Sequence, residues 1–88
     1  EVISDGRVVS LTGTEFKLLS ILIEVPGKVH NRKDLLYKLS GYRYAGDSRL
    51  VDTHIKNLRK KIEPDVQHPI YVLTLFGTGY KFAFQTDE

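Results

Sequence analysis

The feature that most constrains the fold is the segment RLVDTHIKNLRKKI, residues 49–62. Its apolar residues recur at intervals of four, three and four positions, which places them along one side of an α-helix. These residues are Val51, Ile55, Leu58 and Ile62. The spacing therefore predicts a helix with one face buried in a core and the opposite face open to a partner or to solvent.

The opposite face of this helix concentrates positive charge. Residues 49–61 hold five cations and one anion, a balance of +4, whereas the whole chain has a formal net charge of +2. The face lacks the Glu–Lys pairs at i,i+4 spacing that stabilise ordinary exposed helices. Like charges this close repel one another unless an anionic partner is expected. The pattern favours a helix that lies in the DNA major groove, and the alternative is a face that is simply solvated.

The length and composition of the chain limit the classes of protein to which it can belong. At 88 residues, with 41% hydrophobic and 27% charged residues, the chain is expected to form one small globular domain. It has no apolar run near the roughly 18 residues of a membrane span. The absence of cysteine excludes disulfides and thiolate metal sites and fits a reducing compartment. Because the chain contains no methionine, we expect it to be a piece of a longer protein.

A β-hairpin is predicted at each end of the chain. Residues 1–11 place apolar residues on both sides of Asp5-Gly6, a two-residue turn signal. Residues 70–84 place aromatic and β-branched residues on both sides of a glycine turn. Gly77 and Gly79 do not form a phosphate loop, because no helix and no lysine–serine pair follow them.

Two further helices are predicted between these hairpins. Thr12 and Glu15 form a capping box at the start of the first helix. Its broad apolar stripe comprises Phe16, Leu18, Leu19, Leu22 and Ile23. Asn31 marks the start of a short second helix. Either Asp47 or Ser48 is expected to cap the third helix, which Glu63-Pro64 ends.

The order hairpin, helix, helix, helix, hairpin predicts an α+β fold, a winged helix-turn-helix. We expect one domain over residues 1–88. It comprises a partial N-terminal sheet over 1–11, a three-helix core over 12–63 and a wing hairpin over 70–84.

Three segments resemble the C-terminal effector domain of OmpR/PhoB-type response regulators in order and spacing. They are LTGTEFKLLSILIEVPGKVHNRKDLLYKL, GYRYAGDSRLVDTHIKNLRKKIEP and HPIYVLTLFGTGYKF. The resemblance implies a cytoplasmic bacterial transcription regulator of a two-component phosphorelay, with no enzymatic activity and no cofactor or metal. Helix 49–62 is then the recognition helix in the major groove, and the last hairpin is a wing near the minor groove.

The same resemblance implies the partners. Double-stranded DNA is expected to carry direct-repeat half-sites, on which the domain dimerises although it is monomeric alone. The receiver domain, expected upstream and absent here, would link it to a sensor histidine kinase. The loop after the second helix is expected to face RNA polymerase through Tyr42, Arg43, Tyr44 and Asp47. Alternatively, the two tyrosines simply cover the edge of the core.

Seven positions of helix 49–62 fall where the family meets DNA: Arg49, Thr53, His54, Lys56, Asn57, Arg59 and Lys60. The side-chain chemistry agrees for most of them. Asn57 suits bidentate pairing with adenine, and the Thr53 methyl group suits contact with a thymine methyl. Arg49, Lys56 and Lys60 suit phosphates or guanine.

Two of these seven positions have a structural alternative. His54 is either a phosphate donor or a partly buried polar residue at the helix edge. Arg59 lies near the border of the predicted core, where it could instead pair with Asp52 or another acid.

The chain departs from the family at Ser40, where tryptophan is common, and at Leu73 and Phe76, where the wing usually carries cations. Phe76 is expected either to pack under the wing or to contact sugars. The remaining wing candidates for DNA are Thr78, Tyr80 and Lys81. Binding should therefore depend more on the helix than is usual in the family.

Other function classes fit less well. His30, His54 and His68 lack metal-ligand spacing, and no nucleophile motif is present, so an enzyme is disfavoured. The main alternative to DNA binding is a winged-helix module that contacts another protein, with the basic helix face solvated. RNA binding is weaker, because no aromatic platform on a sheet is predicted.

Overall fold

The computed structural model describes residues 2–4, 6–40 and 47–83, with the side chains of Val2 and Ser4 left aside. The elements in chain order are β1 (Val2–Ser4), β2 (Arg7–Val9), α1 (Gly13–Glu24), α2 (Arg32–Ser40), α3 (Arg49–Ile62), β3 (Val72–Leu75) and β4 (Gly79–Phe82). This order confirms the predicted α+β winged helix-turn-helix. Among the described residues, no helix has the length and apolar character needed to cross a membrane.

The first hairpin has the predicted two-residue turn. Ser4 pairs with Arg7 across positions 5 and 6, and Gly6 takes a φ of +79°, which glycine adopts without strain. Val9 faces the core, whereas Ile3 and Val8 are paired on the outward side and exposed.

Helix α1 begins with the predicted capping box. Glu15 N donates to Thr12 Oγ1 at 3.2 Å, and Thr12 N donates to Glu15 Oε1 at 3.0 Å. Glu15 is also buried and accepts a hydrogen bond from Lys61 Nζ at 2.6 Å. Burial raises the pKa of Glu15, but the hydrogen bonds from Lys61 and Thr12 together hold that pKa below 4.5.

The predicted apolar stripe of α1 was too broad. Leu18, Leu19 and Leu22 are buried, but Phe16 and Ile23 are 52% and 43% exposed. The burial of Glu15 against Lys61 turns that side of α1 toward α3. Phe16 and Ile23 are thereby left at the outer margin.

The starts of α2 and α3 are capped by side-chain oxygens. Asn31 Oδ1 accepts from Asp34 N at 2.8 Å, as predicted. Asp47 Oδ1 accepts from Arg49 N at 2.9 Å, whereas Ser48 makes no capping hydrogen bond. Of the two predicted alternatives, Ser48 holds the N-cap position, but only Asp47, one residue earlier, supplies a side-chain hydrogen bond to the start of α3.

The core is built around the predicted apolar seam of α3. Val51, Ile55, Leu58 and Ile62 are all buried, with exposed fractions of 4% or less. They pack in one cluster with leucines of α1 and α2 and with Val72 and Tyr80 of the wing. The sequence prediction for this helix is confirmed in both its bounds and its buried face.

The connection from α3 to the wing is organised by a buried carboxylate. Glu63 is 4% exposed and ends α3. Its oxygens accept backbone hydrogen bonds from Ile70 N at 2.8 Å, Tyr71 N at 3.1 Å and Val72 N at 2.8 Å. Buried backbone donors need such partners, so Glu63 fixes where β3 begins.

The wing is also attached to the segment before α2. Strands β3 and β4 are antiparallel, and Tyr80 of β4 forms a backbone bridge with His30. His30 N donates to Tyr80 O at 2.8 Å, and Tyr80 N donates to His30 O at 2.9 Å. A Cβ atom added at Gly79 would stand 2.0 Å from His30 O. Glycine is therefore required at this close approach.

We expect Gly79→Ala to lower the free energy of unfolding by about 3 kcal/mol, because the methyl group would force the His30–Tyr80 bridge apart. Urea denaturation measures this difference. Gly13→Ala is the control, since no atom lies within 4 Å of its added Cβ. Its unfolding free energy should change by about 1 kcal/mol or less. Equal losses in the two variants would contradict the close approach.

Candidate nucleic-acid interface

The outer face of α3 follows from the burial of its seam. Thr53, Lys56 and Lys60 are exposed and Asn57 is half-buried, on the side away from Val51 and Ile55. Their spacing of three, four and seven positions puts these four residues on one helix face. We call this set, Thr53, Lys56, Asn57 and Lys60, the α3 outer face.

The five cations of α3 are not equally available. Arg49 contacts Asp47, with Nε 2.6 Å and Nη2 2.5 Å from Oδ2. These hydrogen bonds hold the pKa of Asp47 below its usual value and raise that of Arg49. Lys61 pairs with buried Glu15. Within the described residues, Lys56 and Lys60 have no carboxylate at ion-pair distance.

The guanidinium of Arg59 is directed at the wing. Its Nη2 donates to Val72 O at 2.8 Å and to Thr74 Oγ1 at 2.7 Å, and its Nε donates to Val72 O at 3.1 Å. Its Cζ also stands 5.7 Å from the centre of the Tyr80 ring, within cation–π range. Among the described residues, Arg59 makes no ion pair with Asp52 or with another acid, so that alternative is not borne out there. Arg59 as a DNA contact stays a prediction, with its donors turned toward β3.

Tyr80, which was expected to contact DNA from the wing, is largely buried. The residue is 8% exposed and belongs to the core cluster. Its hydroxyl donates to Asp52 Oδ1 at 2.6 Å. Burial and this hydrogen bond raise the pKa of Tyr80 to about 12, so the hydroxyl stays protonated near neutral pH. Tyr80 as a DNA contact stays a prediction, with its hydroxyl hydrogen-bonded to Asp52.

The remaining wing residues differ in exposure. Phe76 is 94% exposed, so the expectation that it packs under the wing is wrong. Thr78 is exposed in the same turn, whereas Lys81 and its cross-strand partner Leu73 are half-buried.

His54 is half-buried, a position compatible with both of its predicted roles. The predicted polymerase-facing residues Tyr42, Arg43 and Tyr44 lie outside the described residues. Asp47 is described, and it is engaged by Arg49. Ser40 is the last residue of α2, where its hydroxyl donates to Tyr37 O at 3.3 Å.

A cleft between the wing and the starts of α2 and α3 was not predicted. Arg32, Ser48 and Asp52 line its helical side, and the turn at Phe76 and Thr78 lines the other. Arg32 Nε stands 3.5 Å from Asp52 Oδ1, and its side chain is 40% exposed. In the sequence, the only sign that Arg32 would line this cleft was its position directly after Asn31, the residue that caps α2. In the described ranges, no three His, Asp or Glu side chains are grouped as a metal site requires.

Comparison with known proteins decides the family. The model described as "Transcriptional regulatory protein, C terminal" matches residues 6–82. The chain belongs to this family. The OmpR/PhoB relationship predicted from the sequence is thereby confirmed, and members of the family are DNA-binding transcription regulators.

The OmpR/PhoB likeness extends to named relatives. The chain is 44% identical over 81 residues to the DNA-binding response regulator MtrA of Mycobacterium tuberculosis, covering 92% of this chain and 36% of MtrA. It is 41% identical to the regulator SphR of Synechococcus elongatus, covering 93% of this chain and 32% of SphR. The chain thus spans about a third of the length of these curated relatives.

Similar solved structures also belong to response regulators. The response regulator DrrB of Thermotoga maritima, an OmpR/PhoB homologue, matches with a TM-score of 0.80 at 39% identity, covering 90% of this chain and 36% of DrrB. The RstA DNA-binding domain of Klebsiella pneumoniae, crystallised with the RstA box, matches with a TM-score of 0.78 at 36% identity. That match covers 89% of this chain and 77% of the RstA domain.

We expect Arg59→Ala to lower the free energy of unfolding by about 2 kcal/mol, because Val72 O and Thr74 Oγ1 would lose their donor. Lys60→Ala, which removes an exposed cation one position away, should leave stability within about 0.5 kcal/mol of the parent. Chemical denaturation of both variants gives the comparison. If Arg59→Ala is as stable as Lys60→Ala, the guanidinium does not hold the wing.

Proposed function

We propose that this chain is the output domain of a two-component response regulator and binds a specific double-stranded DNA sequence. In this proposal α3 lies in the major groove and the wing lies near the minor groove. The observation that carries it is the α3 outer face, which is cationic, lies opposite a buried seam and exposes Thr53, Lys56 and Lys60. The mechanism is non-catalytic.

Phosphate contacts set the register of the domain on the duplex. Lys56 and Lys60 are the strongest candidates, because both are exposed and lack an ion-pair partner in the described part of the chain. Arg49 is a weaker candidate for a phosphate contact, because its guanidinium already forms an ion pair with Asp47. Such contacts supply sequence-independent affinity that falls as salt rises.

Base reading rests on the short side chains of Thr53 and Asn57, on the same helix face as these lysines. Asn57 carries the amide donor and acceptor that match the major-groove edge of adenine. Thr53, one turn earlier on the same face, carries a methyl group suited to thymine. Their position beside Lys56 and Lys60 brings them to the base edges when both lysines reach phosphates.

The partners of the whole protein follow from family membership and belong to the proposal. A receiver domain and its sensor kinase would control pairing of two copies on adjacent direct-repeat half-sites. Linking two copies raises the effective concentration of the second, so a domain that binds weakly alone binds firmly as a pair. The segment 42–47 would face RNA polymerase, in the bacterial cytoplasm.

Selection of bound oligonucleotides from a random pool, at two salt concentrations, tests the proposal. An enriched repeated motif supports a sequence-specific regulator. No enrichment and no salt dependence would favour a module for protein contact, with the α3 outer face simply solvated.

Replacing Lys56 and Lys60 together with alanine should weaken binding to all DNA sequences. The slope of log K against log salt should become shallower by about 0.9 for each phosphate that a lysine no longer neutralises. The charge-matched control is Lys17→Ala with Lys38→Ala, on α1 and α2, which should leave the slope unchanged. Equal slopes for the two double variants would show that net charge, and not the α3 outer face, sets the salt dependence.

Asn57→Ala should instead act on specificity. We expect a loss of about 1–3 kcal/mol on the selected site and little change on random DNA, because the amide pairs with one base. Fluorescence anisotropy with both DNAs at one salt concentration gives the two values. An equal loss on both would show that Asn57 does not read a base.

A further inference from the structure

Phe76 is the most exposed large apolar side chain among the described residues, at 94%. It opens the three-residue turn between the paired residues Leu75 and Gly79. Thr78 N donates to Leu75 O at 2.9 Å, and Gly77 takes a φ of +79°, so the turn is closed and regular. Phe76 therefore buries almost none of its surface against the described part of its own domain, and fold stability does not account for it.

The strands that carry Phe76 are firmly held against α3. Arg59 donates to Val72 O and Thr74 Oγ1 on β3, and Tyr80 of β4 donates to Asp52 on α3. The backbone bridge between His30 and Tyr80 adds two further hydrogen bonds. We call the turn residues 76–78 the tip. These hydrogen bonds fix the orientation of the tip relative to α3, which reduces the entropy lost when the tip binds a partner.

The position of the tip relates it to the groove beside α3. Phe76 and Gly77 border the cleft whose other wall includes Ser48 and Asp52 at the start of α3. A four-residue strand such as β3 extends about 13 Å, close to the roughly 12 Å width of the major groove. In the proposed function α3 lies in the major groove and the wing lies near the adjacent minor groove, so the turn at Phe76 is the part of the wing assigned to that groove.

The chemistry of the tip is apolar. Residues 75–79 carry no charge, and Lys81, on β4, is half-buried. The tip therefore cannot read the negative potential of a narrow A·T-rich minor groove as a cation does. An aromatic ring instead contacts deoxyribose and can wedge against a base step, which is easiest at flexible pyrimidine–purine steps.

We propose that Phe76 is a specificity-determining residue whose ring contacts deoxyribose in the minor groove beside the α3 site and selects for a deformable step there. The inference rests on the proposed function, because α3 must first lie in the major groove. It differs from a cationic wing in one consequence: the contact adds affinity without adding salt dependence.

The test uses oligonucleotides enriched by the selection, cut down to a single half-site so that one copy binds. The flank under the wing is either a TA step or an A-tract. Phe76→Ala should weaken binding to the TA flank about tenfold, leave the salt slope unchanged and remove the preference for TA. Phe76→Trp should retain the preference. Phe76→Arg should steepen the slope by about 0.9 and favour the A-tract.

Two controls separate this contact from other causes. Ile70→Ala, which shortens another exposed apolar side chain outside the turn, should leave binding and flank preference unchanged. Urea denaturation should give Phe76→Ala the stability of the parent, since its ring is exposed. In addition, 2-aminopurine placed at the flanking step should brighten when the parent binds and stay dim with Phe76→Ala.

Contrary outcomes are distinct from one another. Unchanged single-site affinity and flank preference in Phe76→Ala would overturn the proposal. A loss seen only on tandem half-sites would also overturn it, by assigning the ring to a neighbouring copy. A parent domain that enriches no sequence overturns the proposed function, and the proposal for Phe76 falls with it.

Discussion

Burial of the α3 seam is the constraint on which the rest of the structure depends. Val51, Ile55, Leu58 and Ile62 are almost completely removed from solvent. Each such side chain contributes about 1.5–3 kcal/mol on burial, whereas an exposed ion pair contributes about 0–1 kcal/mol. The orientation of α3 about its own axis is therefore set by burial of the seam and not by its cations. Once the seam is buried, the α3 outer face has one direction in which to point.

The polar residues at the borders of α3 serve the fold. Arg59, Lys61 and Asp52 bind β3, α1 and Tyr80 respectively, and Glu63 gathers three backbone donors before the wing. Arg59, Asp52 and Glu63 thereby join α3 to the wing, and Lys61 joins α3 to α1. The cations left for DNA are thus fewer than the +4 balance of the sequence suggested.

Much of this architecture could be predicted because its signals are local. The seam spacing gave the bounds of α3, and the Thr12–Glu15 box gave the start of α1. The hydrogen-bond partners of Arg59 and the burial of Tyr80 could not be predicted from the sequence, because they depend on how β3 and β4 pack against α3. Periodicity alone also could not separate buried Leu18 from exposed Phe16 in α1. The exposure of Phe76 became evident only with the wing in place.

Amide chemical-shift mapping of the domain, titrated with its selected DNA, tests the central claim most directly. The largest changes should fall on the α3 outer face, at Thr53, Lys56, Asn57 and Lys60, and on the turn at Phe76–Thr78. The first hairpin, β1 and β2, should move little. Changes confined to α1 and the first hairpin, with α3 unperturbed, would contradict the assignment of α3 as the helix that reads DNA.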